Sequence, residues 1–393
     1  MERTSAFVIA HGGWLHEITV VTSVAMKHLP VLTAVWGKNK LLIALLAAAV
    51  FIKLFSLFPG AVETYYSHGI YRVTAAVQRI LLGWIPISMG DLLYIGLPLF
   101  LVYKLFRLIR RLIKKQQTRQ HWIDGLRWCA TMVLGAYVLF YGLWGLNYNR
   151  KGIDHELGIT VGRYTKDELL VVVQTVVERL QELESTARVD RAARHTKALL
   201  FQGAIDSYKR LALEPYGMSY SLPSIKPVLS SHLCNWLGYP GYYNPISGEA
   251  QVNTAIPVFA QPLVICHEMS HQLGYAGENE ANFIGYLAAK SSEDSAFRYS
   301  AYVRLYGYAI RNLRRLDPAL AAEFSKKVPA GVKQDWEEEG KFWSWYANKV
   351  EVAKDRVYDK FLKANQQPAG ILSYDEVVAW VIAYQRKYGK DAI

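Results

Sequence analysis

The sequence predicts a mainly α-helical protein with a small β-sheet (α+β), in which three N-terminal transmembrane helices precede a folded domain. Three observations predict it. Three apolar stretches fall before residue 150. From about Arg150 the composition turns polar and the apolar positions adopt helical spacing. One stretch between Gly- and Pro-rich segments, GYYNPISGEAQVN at 241–253, reads as a turn feeding a short strand. The 393 residues allow two or three units, each with ample core. Hydrophobic residues make up 52% of the chain, high for a purely soluble protein.

The membrane domain is placed at 41–149, after an N-terminal extension at 1–40. Its first span, LLIALLAAAVFIKLFSLF at 41–58, carries one charge, Lys53, and is stopped by Pro59-Gly60. The second, LLYIGLPLFLVYKLFRLI at 92–109, is entered through Pro86 and Asp91 and left through basic residues. The third, WCATMVLGAYVLFYGLWGL at 128–146, gathers aromatics at its end, as at a membrane interface. Buried core helices would not need such flanks. The loop RLIRRLIKKQQTRQH at 107–121 is dense in Arg and Lys, which the positive-inside rule places in the cytoplasm. The N-terminus is then cytoplasmic and everything after Asn147 lies outside. The net charge of +12 is explained by this topology. No DNA- or RNA-binding signature accompanies it, and no obligate protein partner is evident. Residues 1–40 lack the charged start and cleavage site of a signal peptide.

The domain at 150–393 opens with Thr165-Lys-Asp-Glu168, a capping box, and a helix after it. A second helix is expected at 191–213. Helices are also expected at 278–290, 296–316, 318–327, 336–364 and 374–388. Three cysteines, at 129, 234 and 266, allow one bridge at most, Cys234 to Cys266, and no Cys-rich metal site.

The informative stretch is VICHEMSHQLGYAGENEAN at 264–282. On one helix His267 and His271 share a face, about 5–6 Å apart at Cβ. Both imidazoles then reach one Zn²⁺ at about 2.0–2.1 Å. Glu268 beside them is the candidate general base for a water in the open position of the metal. A third ligand is required, and Glu278 and Glu280 compete for it. Glu278 is favoured: in E-x-x-A-N it shares a face with Ala281, Asn282, Gly285 and Ala289, small enough for close helix approach. Glu280 is in phase with Phe283, Ile284 and Leu287, so it points to the core as ligand or buried partner. Asn282 is a candidate to hydrogen-bond a ligand from behind. Tyr302, Tyr306 and Tyr308, with Tyr242, Tyr243 and Asn244, are candidate oxyanion donors. Glu249 to Asn253 is expected to be an edge strand that pairs with an extended substrate, with Glu249 and Asn253 contacting it.

HExxH followed by E-x-x-A-N resembles the gluzincin side of the zincin metallopeptidases, and EANFIGYLA is similar to the third-ligand helix of peptidases that cleave phage-type repressors. More closely, the chain resembles an uncharacterised bacterial membrane family, domain of unknown function 3810. VETYYSHGIY (62–71), IPISMGDLLY (85–94), LFYGLWGLNYNR (139–150), GYYNPISGEAQVN (241–253), CHEMSHQLGYAGENEANFIGYLA (266–288) and YDKFLKANQQPAGILSY (358–374) carry the resemblance. It implies three spans of the cytoplasmic membrane and a zincin-like domain on the periplasmic side, and supplies no substrate. Position 282 is Asn where many gluzincins have Asp. The expected function is a membrane-anchored zinc metallopeptidase acting on peptide or protein substrates. The alternatives are a non-enzymatic zinc-bearing sensor or scaffold, and a zinc amidase acting on cell-envelope components.

Overall fold

The computed structural model describes residues 39–193, 196–214, 218–368 and 376–393; the expected extension at 1–40 lies, up to residue 38, outside them. In chain order, α1 (Asn39–Phe55) and α2 (Pro59–Leu82) form a pair broken at 56–58. Pro59 starts α2 where a missing N–H costs nothing, and Val62–Ile70 within it winds as a π-helix. Then follow α3 (Met89–Ile113), α4 (Arg119–Leu143), α5 (Ile153–Leu157), α6 (Lys166–Ala193), α7 (Lys197–Leu211), β1 (Ile225–Pro227), α8 (Ser231–Trp236), β2 (Gly241–Asn244) and β3 (Glu249–Val252). The rest is helical: α9 (Gln261–Gln272), α10 (Glu278–Lys290), α11 (Ser295–Leu316), α12 (Pro318–Lys327), α13 (Ala330–Tyr346), α14 (Lys349–Ala364) and α15 (Val377–Tyr388).

α3 and α4 are long and apolar enough to cross a membrane, and α1 with α2 is a third candidate as one broken span or a re-entrant pair. Helices able to serve as the spans expected at 92–109 and 128–146 are therefore present, with shifted bounds. α3 starts at Met89 because Ser88 Oγ caps it, accepting from Asp91 N at 3.0 Å. α4 starts earlier because its polar first turns, RQHWID, continue the helix beyond its apolar part. It stops at Leu143 because Trp144 leaves helical φ/ψ and a 3₁₀ turn, Gly145–Asn149, follows. The helix expected at 336–364 is two helices. Asn348 divides them, its Oδ1 accepting from Val350 N at 2.8 Å and Glu351 N at 2.9 Å.

The contacts divide the chain into two compact units. One holds the described residues up to Phe51 together with Gln117–Val138; the other holds Ile52–Gln116 and Leu139–Ile393. α2 and α3 thus belong to the same unit as the sheet. Within it, α6, α7, α9, α10, α11 and α15 enclose a core that includes Leu180, Tyr208, Ile265, Phe283, Leu287 and Phe297, all fully buried. α6 begins on the expected capping box: Thr165 N donates to Glu168 Oε2 at 2.7 Å and Glu168 N to Thr165 Oγ1 at 3.2 Å.

The sheet has the order β1-β3-β2, with β1 parallel and β2 antiparallel to β3. β3 is therefore the central strand, not the edge expected from the sequence. Its second partner, β1, has only three residues within a Pro-bearing loop, too few to show a strand period. Glu249 is fully buried on β3. Its carboxylate accepts from Met89 N at 3.1 Å, Gly90 N at 2.8 Å, Ser247 Oγ at 2.9 Å and Gln251 Nε2 at 3.1 Å. A negative charge thus sits on the positive end of α3. Asp91 in turn accepts from Leu229 N at 2.6 Å and from the Tyr242 hydroxyl. Asn253 pins the hairpin to α8, donating from Nδ2 to Asn235 Oδ1 and to Tyr239 O at 3.1 Å.

Candidate metal centre

α9 carries the HExxH stretch through the core, and its back is held by hydroxyls. Tyr208 donates to Cys266 O at 2.6 Å, and its oxygen lies 2.8 Å from Ser270 Oγ. Segments next to the long apolar helices hold its C-terminal turn. Trp144 Nε1 donates to His271 O at 3.0 Å, and the Tyr71 hydroxyl to Gln272 O at 2.9 Å. These bonds satisfy carbonyls that have no partner inside a helix. The turn that follows needs Gly274: its φ is +91°, and a Cβ there would lie 2.8 Å from the Tyr71 ring.

α10 then crosses α9 at very close range. A Cβ on Gly285 would lie 2.9 Å from His267 N and 3.0 Å from His267 Cα. Backbone atoms at that distance have no soft end to yield, so glycine is what permits the approach. Gly285→Ala is expected to push the helices apart at a cost of about 1–3 kcal/mol. A melting temperature lowered together with weakened metal binding in purified protein would show it; wild-type values for both would refute it.

The approach aligns the side chains. His267 Nε2 lies 3.3 Å and His271 Nε2 3.9 Å from Glu278 Oε2. The donor atoms of His267, Glu268 and His271 lie within 4.8 Å of one another. His271 Nδ1 is 2.7 Å from Tyr275 O, which assigns the proton to Nδ1 and leaves Nε2 as the lone-pair nitrogen. Asn282 stands beside the His267 ring. Glu278 is fixed from three directions: Tyr358 donates to its Oε1, its backbone N donates to Gln367 Oε1 at 3.0 Å, and His267 faces Oε2. The Oε2 atoms of Glu268 and Glu278 are buried and have no hydrogen-bond partner among the described residues.

Burial and charge set the protonation states. Burial pushes the Glu268 carboxyl up to about 8. Burial also drives His271 down to about 4, so its imidazole is neutral. Burial alone would raise Glu278 too, but the neighbouring His267 and His271 outweigh it and hold it down at about 2. Burial works against charge on His267 as well; Glu278 outweighs it and the group is raised. A buried carboxylate whose Oε2 lies within 4 Å of the Nε2 atoms of two imidazoles suits a divalent cation that would replace the His267 proton. The set of two His nitrogens and one carboxylate oxygen, with a fourth position open, suits zinc.

The two competing glutamates separate cleanly. Glu280 accepts from Ile153 N at 2.7 Å through Oε1 and stays on the far side, as a buried partner of α5. Tyr302, a candidate oxyanion donor, is not brought to the histidines: its hydroxyl reaches Ile393 O at 3.5 Å and its ring packs on Tyr286. Glu249 and Asn253 serve the sheet and hairpin as described. Two residues that sequence spacing could not single out do reach the site: Tyr358, on Glu278, and Tyr148, whose hydroxyl burial and the Glu278 charge push well above its ordinary range. Both lie in segments that carry the family resemblance, 358–374 and 139–150, far in sequence from the motif. A second group of donors, Glu63, His68 and Glu156, also lies within 4.8 Å. Arg150 Nη2 occupies it, 2.9 Å from Glu63 Oε1 and paired with Glu156, and a guanidinium there repels a cation. The cluster is an ion-pair network, continued by Tyr275, which donates to Glu156 Oε2 at 2.8 Å.

Compared with known proteins, the chain matches one family model, described as a protein of unknown function (DUF3810), over residues 66–382. No curated protein matches, and no solved structure does.

Proposed function

The chain belongs to the DUF3810 family, and from the geometry of its site we propose that it is a membrane-anchored, zinc-dependent metallopeptidase. One observation carries the reading: the two Nε2 atoms of a buried HExxH helix converge on the otherwise unpartnered Oε2 of Glu278, with Glu268 alongside. His267, His271 and Glu278 would hold the ion. Bound there, zinc would supply Lewis acidity toward a scissile carbonyl and would acidify a water.

The residues of the chain do the rest. The charge of a bound cation would favour the ionised form of Glu268 against its burial, and Glu268 then takes the proton of the attacking water and returns it to the leaving amine. Tyr148, kept protonated by burial and by Glu278 and packed on Trp144 beside His271, is the candidate donor to the oxygen on which charge develops. Tyr358 and Gln367 keep Glu278 from turning away, and the Tyr275 carbonyl keeps His271 in one tautomer.

The membrane side follows from the same positive-inside argument. The link between α3 and α4, with Arg110, Arg111, Lys114, Lys115 and Arg119 around it, belongs in the cytoplasm. The other ends of these helices then emerge on the extracytoplasmic face, where Met89 meets Glu249 and Trp144 meets His271. Substrates are peptides or proteins near that face. The test is elemental analysis of the full chain, purified in detergent without chelator. About one zinc per chain is expected; protein that neither retains nor takes up zinc would overturn the proposal.

A further inference from the structure

Helix α2 has two unlike faces. One is buried in its own unit: Val62, Glu63, Tyr66, Ser67, Tyr71 and Ala75 face inward. That face is bonded along its length. Arg150 pairs with Glu63, Tyr71 reaches the last turn of α9, and Gln78 Nε2 donates to Pro245 O and Ile246 O at 2.9 and 2.8 Å. Beyond its end, Lys226 donates to the carbonyls of Gly83 and Ile85.

The other face is apolar and open. Ile70, Val73, Val77, Ile80, Leu81 and Trp84 are all exposed, Val73 at 64% and Trp84 at 77%. At 100° per residue these six fall within roughly 100° of arc, one continuous stripe. No soluble helix gains by leaving such a stripe in water. Two further facts say what covers it. The chain enters α2 from the apolar α1 and leaves it, through the six residues 83–88, into the apolar α3. And α3 begins on the same sheet hairpin that α2 is bonded to, through Glu249 and Asp91. The stripe therefore ends beside the point where a membrane-crossing helix starts.

We propose that α2 lies flat in the bilayer interface, its stripe from Ile70 to Trp84 sunk among the lipid headgroups and upper acyl chains and its bonded face turned to the catalytic unit. A spanning placement would bring Glu63, Arg72 and Arg79 into hydrocarbon, whereas an in-plane helix keeps them on the polar side. Trp84, amphipathic and most exposed, suits the headgroup level. Because Tyr71 on this helix holds the carbonyl of the residue after His271, the helix also fixes the depth of the metal centre at the membrane surface.

The test uses spin labels on the full chain in vesicles of phosphatidylcholine and phosphatidylglycerol. Cys129 is exposed and is replaced by Ser; Cys234 and Cys266 are buried and stay. Labels are placed through Val77→Cys and Leu81→Cys in the stripe, Arg72→Cys outside it, and Leu101→Cys within α3. Power saturation with oxygen and with a water-soluble nickel chelate then reports depth. The stripe labels are expected to favour oxygen, at about 5–10 Å below the phosphates, with Arg72→Cys favouring nickel. Stripe labels as wet as Arg72→Cys, as deep as Leu101→Cys, or shielded from both reagents by a second copy or another protein would each overturn the proposal. The readout needs neither zinc nor hydrolysis, so it stands or falls apart from the peptidase reading.

Discussion

Glu268→Gln is expected to lower peptide hydrolysis by on the order of 10²–10⁴-fold while leaving zinc in place. The substitution is nearly isosteric and removes only the ability to take a proton. Burial that pushes the native carboxyl up to about 8 shows how reluctantly this pocket accepts a charge, so a neutral amide fits it without strain. The measurement pairs zinc content with turnover of a peptide pool by the full chain. Full zinc with lost turnover identifies the base. Turnover within a few-fold of wild type at full zinc would remove Glu268 from the mechanism.

Glu278→Gln and Glu280→Gln are expected to differ sharply. Glu278 Oε2 faces both Nε2 atoms, and its replacement should weaken zinc binding by more than the 10–100-fold typical of residues that only support a ligand. Glu280 bonds to Ile153 N, and a glutamine there keeps an acceptor for that N–H. Its zinc affinity should match wild type. Competition against a chromogenic chelator reads both. Equal loss in the two variants, or loss only in Glu280→Gln, would reassign the third ligand.

What the sequence made legible was local. His267, Glu268 and His271 fall within five residues of one helix, so helical spacing alone could put the two histidines on one face; Glu278, on the next helix, was favoured over Glu280 only by the small residues in phase with it. The close-packing face was readable for the same reason, since Gly285 follows at fixed phase on α10. Glu280 could be read both ways, as ligand or buried partner, because phase fixes its direction but not what it meets there. Features made by distant segments were not legible. The strand β1 is three residues long, and its pairing with β3 turned an expected edge into a centre. Tyr71, Tyr358 and the pair Trp144 and Tyr148 come towards the motif helix from three separate segments, and no periodicity links them to it. The apolar spans were readable from composition, but their ends were set by Ser88 and Trp144, single residues with capping or breaking roles.

The carboxylate of Glu249 on the first turn of α3, and the indole of Trp144 on the carbonyl of His271, carry a consequence for the order of events in the cell. Both partners lie at the mouths of membrane helices, on stretches made long before α9 leaves the ribosome. On the proposed reading, His267, His271 and Glu278 would be set in register only after those helices are seated. On the proposed function, a chain that fails to insert would have no assembled centre and would stay inactive in the compartment where it is made. A cut after residue 150 would likewise release not a working soluble protease but a fragment stripped of its own scaffold.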